Sequence, residues 1–427
     1  MNPMIITFCI LIFTVVMMVW EKLPIAVTAV ITSLLLILFN VLTPAEGFSG
    51  FANSNVILIT GMVVIGGAFF STGMAQDIGY GVLKFAKTET ILIGLIVMVT
   101  GLMSAMLSNT GVTAVMLPIV IGICMKSGIN RSRLIMPISI AAGCGGTITL
   151  VGTVVNVIAN TTLEEFGYEE RFGFFEFTKV GLPLLVITAI FMATIGKKLL
   201  PDRPYANVDG STDQDQTKDF SNVPKWKKYM SLVILLVTFF GMIFETQIGV
   251  KLHVTAVIGA VLLVITGVMT ENEAYKAVDL RTAFTLAGIL PLATALDKTG
   301  AGQAIADTVI GAFGGNASPF MLMMVLYLMS CIMTQFMSNT ATAALLCPIG
   351  LSIAQGLNAD PKAVLMAIVL GASFAYATPL GMPANTMVMA PGGYKFGDYT
   401  KVGVPLLVIS FIFCMIVLPI FWPMTIG

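Results

Sequence analysis

The chain has 427 residues, of which 57% are hydrophobic and only 10% are charged, whereas about a quarter of the residues in an ordinary soluble domain are charged. Such a chain cannot cover itself with polar surface, so its composition predicts a protein embedded in a lipid bilayer. Its 22 basic and 22 acidic residues balance, and the absence of a long basic stripe argues against a nucleic-acid partner.

Apolar stretches follow one another along the first half, and a helix needs roughly 17 to 25 apolar residues to cross a bilayer core. They predict single spans at residues 4–20, 25–43, 55–72 and 180–196. Before the last of these lie a stretch folded at its middle, at residues 90–125, and an interrupted span, at residues 134–162. A polar run, Asp209 to Thr217, lies near the middle of residues 201–227. This segment is predicted to be a cytoplasmic linker between a first repeat at residues 1–200 and a second at residues 228–427.

The second half repeats this order of stretches, at residues 229–244, 252–270, 282–296, 309–359, 363–390 and 402–424. Sequence identities recur at offsets of about 222 to 230 residues, which indicates an internal duplication. Three segments return in the same order: Val27–Ile31 as Val254–Ile258, Ser108–Thr110 as Ser338–Thr340, and Thr178–Val186 as Thr400–Val408.

Each half crosses the bilayer an odd number of times, whether its folded stretch crosses twice or dips in and returns. The second half must therefore enter from the opposite side, so the repeats are predicted to have inverted topology. We predict an all-α membrane protein of two such repeats. Each has about five transmembrane helices, one re-entrant helical hairpin, and a helix broken at mid-membrane.

The distribution of Lys and Arg sets the orientation, because short cytoplasmic loops are enriched in these residues. Arg131 and Arg133 flank the base of the first folded stretch, and seven Lys and Arg residues lie in and beside the joint between the halves. The segment after the first interrupted span is acidic instead. These charges place both termini outside a plasma or inner membrane.

Two Ser-Asn-Thr tips, Ser108–Thr110 and Ser338–Thr340, lie at the midpoints of the folded stretches. A turn at membrane depth leaves backbone groups without water, and it is tolerated only inside protein or beside a water-filled cavity. Ser, Asn and Thr favour such turns because their side chains bond nearby backbone groups. The alternative, small polar residues packed between helices, is disfavoured because the motif occurs in both halves.

A hydroxyl lies four residues before each tip serine, Ser104 before Ser108 and Thr334 before Ser338. Residues at this spacing share one helix face, and the carboxyl end of a helix carries about half a negative charge. Hard oxygen ligands in that position suit a small cation such as sodium.

Within the interrupted spans, residues 147–156 and 377–385 combine glycine with polar residues, as expected of a helix broken in the membrane. Glycines used only for close helix packing are the alternative. Together, the tips and the interrupted spans would direct the amino ends of four half-helices at one centre. These ends are predicted to follow Thr110, Thr153, Thr340 and Met382. At about half a positive charge each, these ends suit a divalent anion such as succinate or sulfate.

With Pro118 and Pro348 after the tips and Asn156 and Asn385 closing the broken helices, nearly the whole chain resembles the divalent anion sodium symporter family of the ion transporter superfamily. The resemblance implies a homodimer that works as an elevator and imports di- or tricarboxylates or sulfate with sodium, or exchanges dicarboxylates. By position it implies one sodium site at Ser104, Ser108, Asn109 and the Gly152 backbone, and a second at Thr334, Asn339 and the backbones of Met337 and Gly381. It implies substrate contacts at Asn109, Thr110, Thr153, Asn339, Thr340 and Pro383.

The broken helices depart from the family pattern of a small polar residue followed by Pro-Pro-Asn. This chain has Thr153-Val-Val-Asn156 and Met382-Pro-Ala-Asn385. Met382 therefore occupies a predicted substrate contact with an altered chemistry, which leaves the identity of the anion open.

Together these features predict a sodium-coupled secondary active transporter of divalent anions, with sodium as coupling ion and no organic cofactor. An exchanger not coupled to sodium and a passive anion channel are the alternatives. A membrane enzyme would need ionisable residues at membrane depth, and neither motif contains one.

Overall fold

The structure is a computed structural model that describes residues 2–20, 22–83, 86, 88–203, 220, 222–312 and 318–423. Within these ranges all regular secondary structure is helical. The first half contains α1 (Pro3–Trp20), α2 (Ile25–Leu38), α3 (Pro44–Gly47), α4 (Ser54–Ser71), α5 (Met74–Leu83), α6 (Glu89–Ser104), α7 (Asn109–Ser127), α8 (Arg131–Leu134), α9 (Met136–Gly146), α10 (Val154–Glu165), α11 (Thr178–Phe191) and α12 (Lys197–Leu199).

The second half follows a similar sequence of helices. It contains α13 (Lys225–Ile243), α14 (Glu245–Ile248), α15 (Leu252–Ile265), α16 (Glu271–Ala277), α17 (Leu280–Lys298), α18 (Ala301–Ala312), α19 (Pro319–Met333), α20 (Asn339–Gly356), α21 (Pro361–Ser373), α22 (Pro383–Gly392) and α23 (Phe396–Phe421). A 3-10 turn at Ser49–Ala52 precedes α4, and a π-helical turn at Met192–Gly196 joins α11 to α12.

Among the described residues, five helices are each long and apolar enough to cross a membrane, the bent pair α16 and α17 passes the same test together, and six others are shorter apolar helices. The long ones are Ser54–Ser71, Asn109–Ser127, Thr178–Leu199, Lys225–Ile243 and Phe396–Phe421. Many large apolar side chains also remain exposed on the outer face of the bundle, such as Ile12, Val237 and Ile416. An apolar exterior of this kind is what a bilayer covers, so the chain is a multi-pass membrane protein.

Helices of the first half cross helices of the second half at glycine positions, where the two backbones lie close together. A Cβ on Gly61 of α4 would lie 2.9 Å from the backbone of Ala256 in α15, and one on Gly288 of α17 would lie 2.6 Å from the backbone of Ala29 in α2. Ser33 of α2 also donates to the Gly288 carbonyl at 2.9 Å. Gly61 and Gly288 thus make equivalent crossings, one between α4 and α15 and the other between α17 and α2. Small residues at such crossings let membrane helices approach closely.

Both folded stretches contain two helices that meet at the tip, α6 with α7 and α19 with α20. The interrupted spans are likewise pairs of helices, α9 with α10 and α21 with α22, separated by irregular segments. The predicted folded stretch 309–359 starts too early, because residues 309–312 belong to the separate helix α18. Hydropathy missed that boundary because the end of α18 is as uncharged as the stretch that follows.

Three helices of 7 to 12 residues, α5, α16 and α18, were not predicted as elements, and neither were the four-residue helices α3 and α14. They carry acidic or other polar residues, for example Asp77 in α5 and Asp307 in α18, and so fail a test for apolar spans. Most of the predicted linker, including Asp209 to Thr217, lies outside the described residues. Its last three residues, 225–227, form the start of α13.

Candidate functional site

Each tip serine caps the helix that follows it. The Ser108 hydroxyl oxygen accepts a hydrogen bond from the Gly111 N–H at 3.2 Å, and Ser338 does the same for Ala341 at 3.2 Å. The helices begin at Asn109 and Asn339, so Thr110 and Thr340 lie in their first turns and do not precede them as predicted. A serine cap fixes the chain direction at the tip, because it satisfies a backbone N–H that has no partner within the helix.

Behind each tip, a buried hydroxyl connects three segments. Ser104 Oγ lies 2.8 Å from Asn109 Oδ1 and 2.9 Å from the Ala142 carbonyl of α9. Thr334 Oγ1 lies 2.8 Å from Asn339 Oδ1 and 2.7 Å from the Ala372 carbonyl of α21. One hydroxyl carries a single hydrogen for two acceptors, so each cluster contains more oxygen atoms than protons to join them.

The orientation of the Asn339 amide decides the balance of donors and acceptors in the second half. When it is turned so that its nitrogen faces the cluster, it donates to Thr334 Oγ1 at 2.8 Å, to the Ala372 carbonyl at 3.2 Å and to the Gly381 carbonyl at 3.1 Å. With the two amide N–H groups and the Thr334 hydroxyl, this orientation supplies three hydrogens for three oxygens, whereas with the amide oxygen inward only the Thr334 hydroxyl can donate. The second cluster therefore has an excess of oxygen that suits a cation when the Asn339 amide oxygen faces inward.

The two breaks are held open by asparagines at matching positions. Asn156 donates from Nδ2 to the carbonyls of Gly146 (3.0 Å) and Thr149 (2.7 Å). Asn385 donates from Nδ2 to the carbonyls of Ala375 (2.5 Å) and Thr378 (2.9 Å). Both side chains are fully buried, so they replace water for carbonyls that a broken helix leaves without partners.

Threonines tie each break to the tip of its own half. Thr149 donates to the Ala105 carbonyl and Thr378 donates to the Gln335 carbonyl. The backbones also pack closely, since a Cβ on Gly152 would lie 2.6 Å from the Gly146 carbonyl and one on Gly381 would lie 2.0 Å from the Thr334 carbonyl. Only glycine fits at either position without moving a backbone.

Both tips and both breaks line one cavity of about 450 Å³. The predicted site residues on its wall are Ser108, Asn109, Thr110, Gly152, Thr153, Asn339, Thr340, Gly381, Met382 and Pro383. Four helices begin there, after Ser108, Thr153, Ser338 and Met382. Segments far apart in the chain thus converge, and the positive ends of four helices lie at one cavity.

The remaining predicted residues, Ser104, Thr334 and Met337, do not line the cavity. They are buried just behind the tips, and Ser104 and Thr334 have no exposed surface. Met382 reaches across from the second break, and its sulfur lies 3.8 Å from Nδ2 of Asn109 in the first tip. Gly143 leaves room for it, since a Cβ there would lie 3.2 Å from the methionine methyl group.

A further wall of the cavity was not predicted from the sequence. The chain bends by 53° between α16 and α17, and Ala277, Asp279, Arg281, Thr282 and Thr285 from this bend face the same space. Asp279 and Arg281 are the charged residues among those lining the cavity. The signal available in the sequence was a charged Asp-Leu-Arg triplet directly before an apolar span, but nothing in it showed that this end meets the tips.

The profile of a family described as citrate transporter matches residues 15–252 and 239–425 of the chain. The chain belongs to this family. The match confirms the resemblance inferred from the paired tips, and it shows that the protein is a membrane transporter and not an enzyme.

Relatives match over nearly the whole length. An uncharacterized transporter of Synechocystis sp. is 24% identical, over 95% of this chain and 95% of its own. The sodium-dependent dicarboxylate transporter SdcS of Staphylococcus saprophyticus is 22% identical, over 95% of this chain and 84% of its own. The crystal structure of the YdaH transporter of Alcanivorax borkumensis, which has an unusual topology, matches with a TM-score of 0.66 at 12% identity and covers 98% of both chains. This last similarity shows the fold alone.

Proposed function

We propose that the protein is a secondary active transporter that carries divalent anions, either di- and tricarboxylates such as succinate and citrate or sulfate, with sodium as coupling ion. The observation that carries the proposal is the single cavity lined by both tips and both breaks. Its volume of about 450 Å³ lies within the range of roughly 300 to 1,000 Å³ typical of small-molecule sites. SdcS, a relative at 22% identity, is described as a sodium-dependent dicarboxylate transporter.

In this proposal the anion lies between the amino ends of α7, α10, α20 and α22. These ends together supply about two units of positive charge, which balances a divalent anion. Side-chain contacts come from Asn109, Thr110, Thr153, Asn339, Thr340, Met382 and Pro383, all of which line the cavity.

The two oxygen clusters behind the tips would hold sodium. The first uses Ser104, Ser108, Asn109 and the Gly152 backbone, and the second uses Thr334, Asn339 and the backbones of Met337 and Gly381. The supporting observation is that the Ser104 hydroxyl, and the Thr334 hydroxyl when the Asn339 amide oxygen faces inward, supplies one hydrogen for two acceptor oxygens. Asn109 and Asn339 would touch both cation and anion, so that each bound charge raises the affinity for the other.

We further propose that the two halves are inverted repeats and that the tips are re-entrant hairpins. α4 lines the cavity with Ile59 to Phe70, towards its carboxyl end, whereas its counterpart α17 does so with its first turns. This reversal is expected if the two helices run in opposite directions through the bilayer. A homodimer working by elevator-type movement completes the proposal, with termini outside and the linker in the cytoplasm of a cell bounded by a plasma or inner membrane.

The test is uptake of labelled succinate, citrate and sulfate into proteoliposomes that contain the purified protein. We expect accumulation of at least one of these anions under an inward sodium gradient and little when choline replaces sodium. Uptake that needs an internal dicarboxylate but no sodium would establish an exchanger instead. Equal uptake without any gradient or internal anion would establish a passive channel and overturn the proposal.

A further inference from the structure

The first turn of α17 brings a full positive charge to the cavity, on the wall formed by the bend between α16 and α17. Arg281 lies in this turn and lines the cavity together with Asp279 and Thr282. The Arg281 side chain is exposed, whereas Thr285, one turn further along α17, is buried. The Arg281 side chain is therefore accessible on this wall and can meet a solute that enters the cavity.

The neighbouring acid is already committed to capping the helix. The Asp279 carboxylate accepts from the Thr282 N–H at 3.1 Å and from the Thr282 hydroxyl at 2.5 Å. Among the residues that the structure describes, none forms an ion pair or a hydrogen bond with the Arg281 side chain. Its five N–H donors have no partner among these residues and can bind an acceptor in the cavity.

The position of Arg281 does not serve the helix itself. The amino end of a helix carries a partial positive charge, so a cation in the first turn is unfavourable there and an anion is favourable. The Asp279 carboxylate, which also lines the cavity, offsets the partial positive charge of the helix end. The Arg281 guanidinium therefore supplies the positive charge with which this wall can attract a carboxylate.

The corresponding turn in the first half shows what such a helix start binds. In the first turn of α4, Asn55 Nδ2 donates to a Glu164 carboxylate oxygen at 3.1 Å, and the Ser54 hydroxyl donates to the same oxygen at 3.4 Å. That carboxylate comes from the end of α10. At the start of α17 the donors face an open cavity, and no carboxylate of the described chain pairs with Arg281.

We infer that Arg281 is a specificity-determining residue that binds a carboxylate of the transported anion across the cavity from the tips. The inference rests on the proposed function and narrows it to anions with at least two separated carboxylates. One carboxylate is held by the tips and breaks, and the other forms a two-pronged pair with the guanidinium, whose planar fork matches carboxylate geometry. A compact anion such as sulfate cannot occupy both places at once.

The experiment compares uptake by the wild type, Arg281→Gln, Arg281→Lys and Lys276→Gln in proteoliposomes. Lys276 is the matched control, since it is an exposed cation on α16 that does not line the cavity. We expect Arg281→Gln to raise the KM for succinate or citrate by about tenfold or more, the loss expected for one charge-assisted pair. The maximal rate should change little. Arg281→Lys should recover part of the affinity, and Lys276→Gln should behave as the wild type.

Inhibition by unlabelled anions separates the inference from a general effect on charge. Sulfate and monocarboxylates should inhibit the wild type and Arg281→Gln with similar constants, whereas succinate should inhibit the variant far more weakly. A KM within twofold of the wild type, or an equal loss for all anions, would overturn the role of Arg281 while leaving the transporter intact. If the wild type transports none of the anions, the proposed function fails instead. Should Arg281→Gln not fold, as judged by its elution and thermal unfolding, the same comparison is made with Arg281→Lys.

Discussion

The two half-sites share a backbone framework but present different side chains to the cavity. Ser104 and Thr334 bond equivalent carbonyls, and Asn156 and Asn385 close equivalent breaks. At the helix starts after the breaks, however, the first half has a threonine, Thr153, where the second half has Met382. The halves thus share the irregular backbone, the oxygen clusters and the Ser-Asn-Thr tips, while the residue that precedes the helix after each break differs.

A second difference lies beside the tips. Ala105 follows Ser104, but Gln335 follows Thr334 and is buried. Gln335 donates to the Cys331 and Phe374 carbonyls and accepts from the Ala377 N–H at 2.9 Å. The second half-site is therefore tied to its break by a side chain that the first half-site lacks, and we expect the first tip to move more easily.

The largest expected effect is on the residues that the halves share at the tips. Asn109→Ala and Asn339→Ala should each abolish sodium-driven uptake, because each removes an oxygen from a proposed cation cluster and an amide from the cavity. Asn272→Ala, an exposed position on α16, is the control and should transport normally. If both tip variants insert normally and retain sodium-coupled uptake, the assignment of Asn109 and Asn339 to equivalent binding sites is wrong.

A smaller but clear effect is expected on stability when the breaks lose their asparagines. Asn156→Leu and Asn385→Leu each leave two buried carbonyls without a donor, which costs about 1 to 3 kcal/mol for an unsatisfied group. Because the bonds are the same in both halves, the two variants should lower the thermal unfolding midpoint by similar amounts. A marked difference between them would show that the breaks are not equivalent.

The substrate selectivity should change when Met382 is replaced by threonine, the residue at the equivalent position of the first half. Met382→Thr gives the second half the hydroxyl that Thr153 supplies in the first, and it removes the contact between Met382 and the Asn109 amide. We expect the KM values for succinate and citrate to change by about fivefold relative to each other, roughly the effect of one hydrogen bond. Met387→Thr, one turn further along α22 and outside the cavity, should leave the ratio unchanged.

The smallest expected effect concerns a capping box. Such boxes are formed by Thr43 with Glu46 at the start of α3 and by Thr270 with Glu273 at the start of α16. In the first, Lys298 Nζ also lies 2.9 Å from Glu46 Oε1. The Thr43 backbone N–H, followed by the Lys298 ammonium, lowers the pKa of Glu46 from 4.5 to about 2. The carboxylate is partly exposed, so its contribution to stability should be at most about 1 kcal/mol.

The sign of its pH dependence follows from the lowered pKa. The stabilisation is complete above pH 4.5 and disappears as the pH falls towards about 2. Thermal unfolding of the wild type and Glu46→Gln should therefore differ slightly at neutral pH and converge in acid. A difference that grows on acidification would contradict this assignment.

Several features of the fold follow from local properties of the sequence. Helices long enough to span a bilayer follow from uncharged runs, and the breaks follow from polar and glycine residues within such runs, because both depend on neighbours along the chain. The short helices α5, α16 and α18 were missed because they carry polar residues and are stabilised by packing against helices that are distant in the sequence. The starts of α7 and α20 were each misplaced by two residues, because Ser108 and Ser338, and not Thr110 and Thr340, cap these helices.

The sequence by itself determined that this protein lies in a membrane, that its halves repeat, and that the two tips and two breaks are its unusual points. Fixed offsets and local polarity are sufficient for these conclusions. Only the tertiary structure decided that all four points share one cavity, that Met382 reaches the opposite tip, and that Arg281 completes the wall. These facts depend on how helices far apart in the chain cross at Gly61 and Gly288, and no pattern of neighbouring residues encodes that distance.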